Sequence, residues 1–130
     1  MENCLFCKIV REEIPCYKVY EDGNFIAFLD IRPLNQGHTL LIPKKHYRWV
    51  WEMKEEYSSV YNKLAQALQK ALETEYIQAL VMGEEIHHAH LHLIPRFPRD
   101  GHPGLVDLHH IKNLTKEEMA GIVERIKAVL

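Results

Sequence analysis

No stretch of the chain approaches the roughly twenty consecutive apolar residues that a membrane-spanning helix requires, which excludes a helical membrane anchor. Its first residues, Met1-Glu2-Asn3-Cys4, have neither a basic leader nor an apolar signal core, and the chain reads as cytoplasmic. With a formal net charge of -2 and both signs interspersed, it also lacks the extended cationic surface that a nucleic-acid partner demands. Any phosphate must therefore be recognised locally. Internal repeats, low-complexity tracts and linkers are missing from the 130 residues, of which 47% are apolar, so one domain over residues 1–130 around one core is expected. Cysteine is scarce and odd in number, three in all, and two of the three form Cys4-Leu5-Phe6-Cys7. In such a chain that favours thiols or thiolate ligands over disulfides.

What the chain has in excess is histidine, nine residues of it. Around them the element pattern alternates. Residues 4–11 fit a short helix or turn that ends before Ile14-Pro15. Runs at Tyr17–Tyr20 and Phe25–Leu29 read as strands joined by Glu21-Asp22-Gly23-Asn24, where Gly and Asn would supply positive φ. After a loop over 30–37, His38–Ile42 reads as a strand closed by Pro43. Apolar residues at spacings of three and four (Val60, Leu64, Leu68, Ala71 or Leu72) predict a long helix over Trp51–Glu73. Strands follow at Gln78–Met82 and Ile86–Ile94. Thr115 with Glu118 forms a capping box for a carboxy-terminal helix with the stripe Ile122, Ile126, Val129. This order predicts an α+β fold: an antiparallel sheet with a long helix and a carboxy-terminal helix on one face.

In the last of these strands, His88-Ala89-His90-Leu91-His92 alternates with period two, which puts three imidazoles on one face and Ala89, Leu91 and Leu93 toward the core. Three imidazoles spaced roughly 6.5–7 Å apart can converge on one anion or metal ion. Packing them together disfavours charging all three, so a neutral one is available to attack phosphorus while its neighbours hold phosphoryl oxygens. The same cluster would also serve as a zinc site.

The run His88 to Ile94 resembles the His-x-His-x-His-x-x motif of the histidine triad family. The likeness extends to Tyr20-Glu21-Asp22, Phe25 to Asp30, Gly37 to His46 and Pro95-Arg96. The resemblance implies a HIT-like α+β fold, a homodimer with a continuous sheet, a purine nucleotide cleft, and nucleotidyl hydrolase or transferase activity without a catalytic metal or organic cofactor. It implies that His90 is the nucleophile, that His92 and His38 bind phosphate oxygens and tune His90, and that His88 belongs to the same catalytic group. Asp30 would hold the ribose, and Ile31, with Phe6 or Phe25, would line the base; Asn35 joins this nucleotide-binding set. Where many members carry Gly-Gln-Ser or Gly-Gln-Thr, this chain has Gly83-Glu84-Glu85, two carboxylates that would repel a phosphate.

Cys4 and Cys7 have the spacing of a zinc knuckle. By the same resemblance, His46 and His88 complete a quartet for a structural zinc ion, which would leave His88 acting indirectly by fixing the segment that carries His90. The histidines at 102, 109 and 110 read as a solvated loop cluster, His87 as a packing or edge residue, and Trp49 and Trp51 as ordinary buried aromatics. Lys44 and Lys45 read as exposed. Three functional readings follow. One is an enzyme forming a nucleotidyl-histidine from a phosphoramidate or a polyphosphate, another a zinc-stabilised nucleotide-binding or adaptor module, and the third a metallohydrolase.

Overall fold

A computed structural model describes residues 3–130, so Met1 and Glu2, part of the amino-terminal reading above, lie outside the described residues. The chain forms α1 (Leu5–Val10), β1 (Tyr17–Glu21), β2 (Phe25–Leu29), β3 (Thr39–Pro43), a 3-10 turn (Val50–Glu52), α2 (Ser58–Leu72), β4 (Ile77–Leu80), β5 (Leu91–Pro95) and α3 (Lys116–Lys127). The strands make one antiparallel sheet in the order β1-β2-β3-β5-β4, an α+β fold as the sequence predicts. No helix among the described residues is long and apolar enough to cross a membrane.

Alternation assigns the two faces. Phe25, Ala27 and Leu29 of β2, Leu41 of β3, and Leu91 and Leu93 of β5 pack with Leu64, Leu68, Ile122 and Ile126 under α2 and α3. The other phase, Ile26, Phe28, Leu40 and Ile42, packs against Phe6 and Ile9 of α1. Both faces are therefore covered, which is why every residue of β2, β3 and β5 is buried. The long and carboxy-terminal helices share one face as expected, and α1, whose six residues are too short to carry a readable stripe, covers the other.

Four local readings are corrected by the structure. The β1–β2 hairpin uses no positive φ; instead the Asp22 carboxylate accepts hydrogen bonds from the amides of Asn24 and Phe25, both at 2.8 Å. The long helix starts at Ser58 rather than Trp51, where the Glu56 carboxylate accepts from the Ser59 amide and hydroxyl at 3.0 Å. It ends in a left-handed Glu73. Val129 lies beyond α3, and Met119 and Val123 complete the buried stripe instead. Finally, β5 begins only at Leu91, so His88 and His90 precede the strand and only His92 sits within it.

Candidate functional site

A cleft of about 470 Å³ opens on the α1 side of the sheet, a volume within the range of small-molecule sites. Phe6 and Ile9 of α1 with Phe28 and Leu40 of the sheet form an apolar wall, and His90, His92, Asp30, Glu84 and Glu85 give it polar edges. Pairing in the sheet sets this arrangement. Leu40 lies opposite His92 across β3 and β5, so the histidine strand runs beside the strand that follows His38.

The hydrogen bonds assign a proton to each ring. His38 Nδ1 accepts from the Leu34 amide (3.1 Å), so its proton is on Nε2, which donates to His92 Nδ1 at 2.9 Å. The proton of His92 is then on Nε2, a buried atom with no partner in the described structure. His90 Nδ1–H donates to the carbonyl of His88 at 2.7 Å, which leaves the His90 Nε2 lone pair free. Both rings line the cleft, with centroids 5.0 Å apart. Burial favours the neutral forms: it pushes His38 down to about 3 and His92 to about 4, each helped by a neighbouring imidazole. His90 is lowered as well, by burial and then by the positive charge of Arg48.

His88 departs from the expected convergence. Its Nε2–H donates to the carbonyl of Pro43 at 2.8 Å, and its Nδ1 lone pair faces Cys4 Sγ at 3.4 Å and Cys7 Sγ at 3.5 Å. His46 Nδ1 lies 3.3 Å from Cys7 Sγ. The four ligand atoms all fall within 4.8 Å of one another. Ligands held about 2.0–2.3 Å from a tetrahedral centre are themselves separated by about 3.3–3.8 Å, so this donor set and its spacing fit a metal ion, zinc above all. Burial and the Cys4 thiol push Cys7 up to about 11, which keeps it protonated unless a cation displaces the proton. A second group, Asp30, His38 and His92, also lies close enough for an ion, but the 2.9 Å hydrogen bond between its two rings occupies the nitrogens an ion would need.

The structure sorts the remaining predicted residues. Phe6 meets His90 edge-on at 5.2 Å, and Asp30 and the exposed Ile31 also line the cleft. Phe25 does not; it points into the core under the helices, and Phe28, on the opposite phase of β2, takes the cleft position. Asn35 is fully buried outside the cleft, donating to Pro95 O and Asp100 Oδ2 at 2.8 Å and accepting from Lys112 Nζ at 3.0 Å. His38 also lines the cleft, but both of its nitrogens are engaged by protein, so it offers no free donor there.

Among the residues read as bystanders, His102 ties its loop to the Leu34 carbonyl at 2.6 Å, while His87 and His109 are exposed. Lys44 pairs with Glu21 at 2.7 Å, and Trp49 stacks on Trp51, which is solvent-exposed. Sequence reasoning missed Ile9, Leu40 and Arg48. Strand phase identifies Phe28 and Leu40, but no local signal marks Arg48, whose guanidinium stacks on Trp49 and donates to Gly83 O at 2.8 Å.

Comparison with known proteins finds relatives in both sequence and fold. The family model described as HIT domain matches residues 11–99. An adenosine 5'-monophosphoramidase of Saccharomyces cerevisiae, HNT1, is 37% identical over 108 residues, covering 79% of this chain and 67% of its own. The crystal structure of a Hit-like protein from Bartonella henselae superposes with a TM-score of 0.81 at 32% identity, over 100% of this chain and 98% of that one. A Zn-bound histidine triad family protein from Mycobacterium smegmatis superposes at 0.73 and 28% identity, over 98% and 93%.

The depressed histidines predict how stability varies with pH. Below an unfolded-state value of about 6.5 the unfolded chain takes up protons that folded His38 and His92 refuse until about 3 and 4, so stability falls as pH drops through that window. Urea titrations between pH 7 and 4.5 should show a loss approaching 1.4 kcal/mol per pH unit for each such histidine. The slope should be shallower in His92→Gln, and an equal slope in the variant would refute the assignment.

Proposed function

The chain belongs to the HIT family, and from that premise we propose that it is a nucleotide hydrolase or transferase that removes a nucleoside monophosphate, preferably purine, through a covalent intermediate on His90. One observation carries the proposal: a single cleft holds a free lone pair, His90 Nε2, beside a buried unpartnered donor, His92 Nε2–H. The first suits attack on phosphorus and the second suits a phosphoryl oxygen whose charge grows during attack. The phosphoramidase HNT1 supports this class of chemistry.

In the proposed reaction the Nε2 lone pair of His90 forms the N–P bond as the bond from phosphorus to the leaving group breaks. The leaving group departs with the electron pair and takes a proton from solvent. His90 then carries the nucleotidyl group as an imidazolium, its Nδ1–H still on the His88 carbonyl. Water attacks phosphorus, the N–P electron pair returns to Nε2, and the proton of the attacking water passes to solvent. His38 acts as a positioning residue, fixing the tautomer of His92. Asp30 would hold the ribose, and Phe6, Phe28 and Ile31 the base.

Within the same proposal, Cys4, Cys7, His46 and His88 hold a structural zinc ion, whose charge would keep the thiols ionised. The chain works as a homodimer with a continuous sheet. Edge strand β4, flanked by exposed Tyr76 and Val81, favours pairing there, whereas the irregular register between Lys18 and Tyr20 blunts the β1 edge.

Three outcomes are expected. His90→Asn should lose at least about 10³-fold in monophosphate release from adenosine phosphoramidate, and the adenylated-protein mass seen with wild type on rapid quenching should be absent. Saturable nucleotide binding with no turnover by wild type would instead favour the binding-module reading, to which Glu84 and Glu85 lend weight. Elemental analysis should find about one zinc per chain, lost in Cys7→Ser together with several degrees of Tm, while brief chelation leaves the chemistry of already folded protein intact. Sedimentation should give a two-chain mass, and substitution of a proline for Ala79 in β4 should shift it toward one chain.

A further inference from the structure

The cleft walls differ in chemistry. On one side Phe6, Ile9, Phe28 and Leu40 offer only apolar surface, suited to a base. On the other, Glu84 and Glu85 reach the cleft with exposed carboxylates that make no hydrogen bond or ion pair among the described residues. The residue before them is anchored. Gly83 O accepts from Arg48 Nη2, and a Cβ at Gly83 would lie 2.4 Å from a ring carbon of Trp49, so the segment is pressed against the Arg48–Trp49 stack. The charged side chains lining the cleft are Asp30, Glu84 and Glu85 against Arg32; with Arg48, held on Gly83 O and close enough for its charge to act on His90, the balance is three carboxylates to two guanidinium groups, of which Arg48 is turned away from the exposed wall by its stack on Trp49.

A second observation is independent of these carboxylates. His92, 6% exposed, presents an unpartnered Nε2–H in the same cleft, which calls for one acceptor there. The site thus offers a donor for a phosphoryl oxygen, while the exposed carboxylates of Glu84 and Glu85 repel further negative charge along the adjoining wall. Dinucleoside polyphosphates and nucleoside diphosphates place additional anionic phosphates next to the reacting one. An amine leaving group does not, and one bearing an ammonium tail gains from the same field.

We propose that Glu84 and Glu85 are specificity-determining residues that select nucleotidyl substrates by the charge of the leaving group, favouring phosphoramidates of amines with a cationic tail over polyphosphates. The inference rests on reading the cleft as a site of nucleotidyl transfer. The carboxylates touch the leaving group's tail and take no part in bond making: the P–N bond breaks as the His90 N–P bond forms, and the amine departs with a proton from solvent. Because both carboxylates are exposed, their effect is screened by salt.

The test uses three adenosine monophosphoramidates whose leaving amines have equal chain length and end in an ammonium, a methyl or a carboxylate group, with ADP as a polyphosphate probe. In wild type at low salt, kcat/KM should fall in that order, by about tenfold from ammonium to carboxylate, and the ratio should shrink to about twofold in half-molar salt. The double variant Glu84→Gln, Glu85→Gln should bring the ratio to about twofold even at low salt, whereas Glu84→Asp, Glu85→Asp should retain most of it. Dissociation constants for the same series on His90→Asn should follow the same order. Equal kcat/KM across the series in wild type, or an unchanged ratio in the double Gln variant, would overturn the inference while leaving nucleotidyl transfer standing. If wild type turns over none of the substrates, the transfer reading fails. The binding series on His90→Asn then decides the charge preference alone, and equal dissociation constants would overturn it.

Discussion

Much of the site depends on one constraint: imidazoles buried beside the end of a sheet must each place a single proton. The Leu34 amide fixes the first assignment by donating to His38 Nδ1, and each later one follows, to His92 Nδ1 and then to an N–H with no protein acceptor. A buried donor without a partner costs on the order of 1–3 kcal/mol, a cost that persists only where something in function or structure answers it. In the proposed reaction the answer is a phosphoryl oxygen of the substrate. The chain of contacts also explains why loop 30–37, irregular and buried over Pro33 to Asn35, is held from several sides. His102 and Lys112 both donate to the Leu34 carbonyl, and Asn35 joins that network through Asp100. What orients His92 is therefore in part the segment from Asp100 to Lys112, which holds the Leu34 loop from 65 to 78 residues away in sequence.

The cysteine quartet constrains the opposite wall. Cys4 caps α1 and Cys7 lies within it, so any ion held there pins a helix too short to be stable by itself. That helix carries Phe6 and Ile9 into the cleft, and Phe6 packs edge-on against both His88 and His90. His88 links the two centres covalently. Its Nδ1 faces the thiols and its carbonyl holds the Nδ1–H of His90, so the candidate metal cluster and the proposed nucleophile are joined through one residue without sharing a ligand atom.

Sequence reading reached as far as periodicity and capping reach. The alternation in residues 88–93 put Ala89, Leu91 and Leu93 in the core, and the Thr115–Glu118 box marked the start of α3. It failed where the deciding contact is remote. Phe25 and Phe28 are both aromatic and both buried, and only the face that α1 covers separates core from cleft. Asn35 reads as a polar loop residue open to ligand, but its partners Asp100 and Lys112 lie 65 and 77 residues on, where no local pattern indicates them. The convergence of all three triad histidines was an overreach of the same kind. Period two holds for a strand, and the strand begins at Leu91; before it, the backbone is free to turn His88 toward the thiols.

The same reasoning explains why the departure at Gly83-Glu84-Glu85 concerns selectivity rather than folding. Two exposed carboxylates contribute little to stability, so nothing in the packing requires them. Gly83, by contrast, is required by packing, since Trp49 leaves no room for a side chain there. A wall fixed in place by Gly83, Arg48 and Trp49 can change the charge it shows to the cleft without disturbing the histidine relay, because the relay draws its hydrogen bonds from Leu34, His88 and the rings themselves. The hydrogen-bonded histidines and the charged wall are thus built from separate contacts, so the charge shown to a leaving group can be altered without moving His90 and His92.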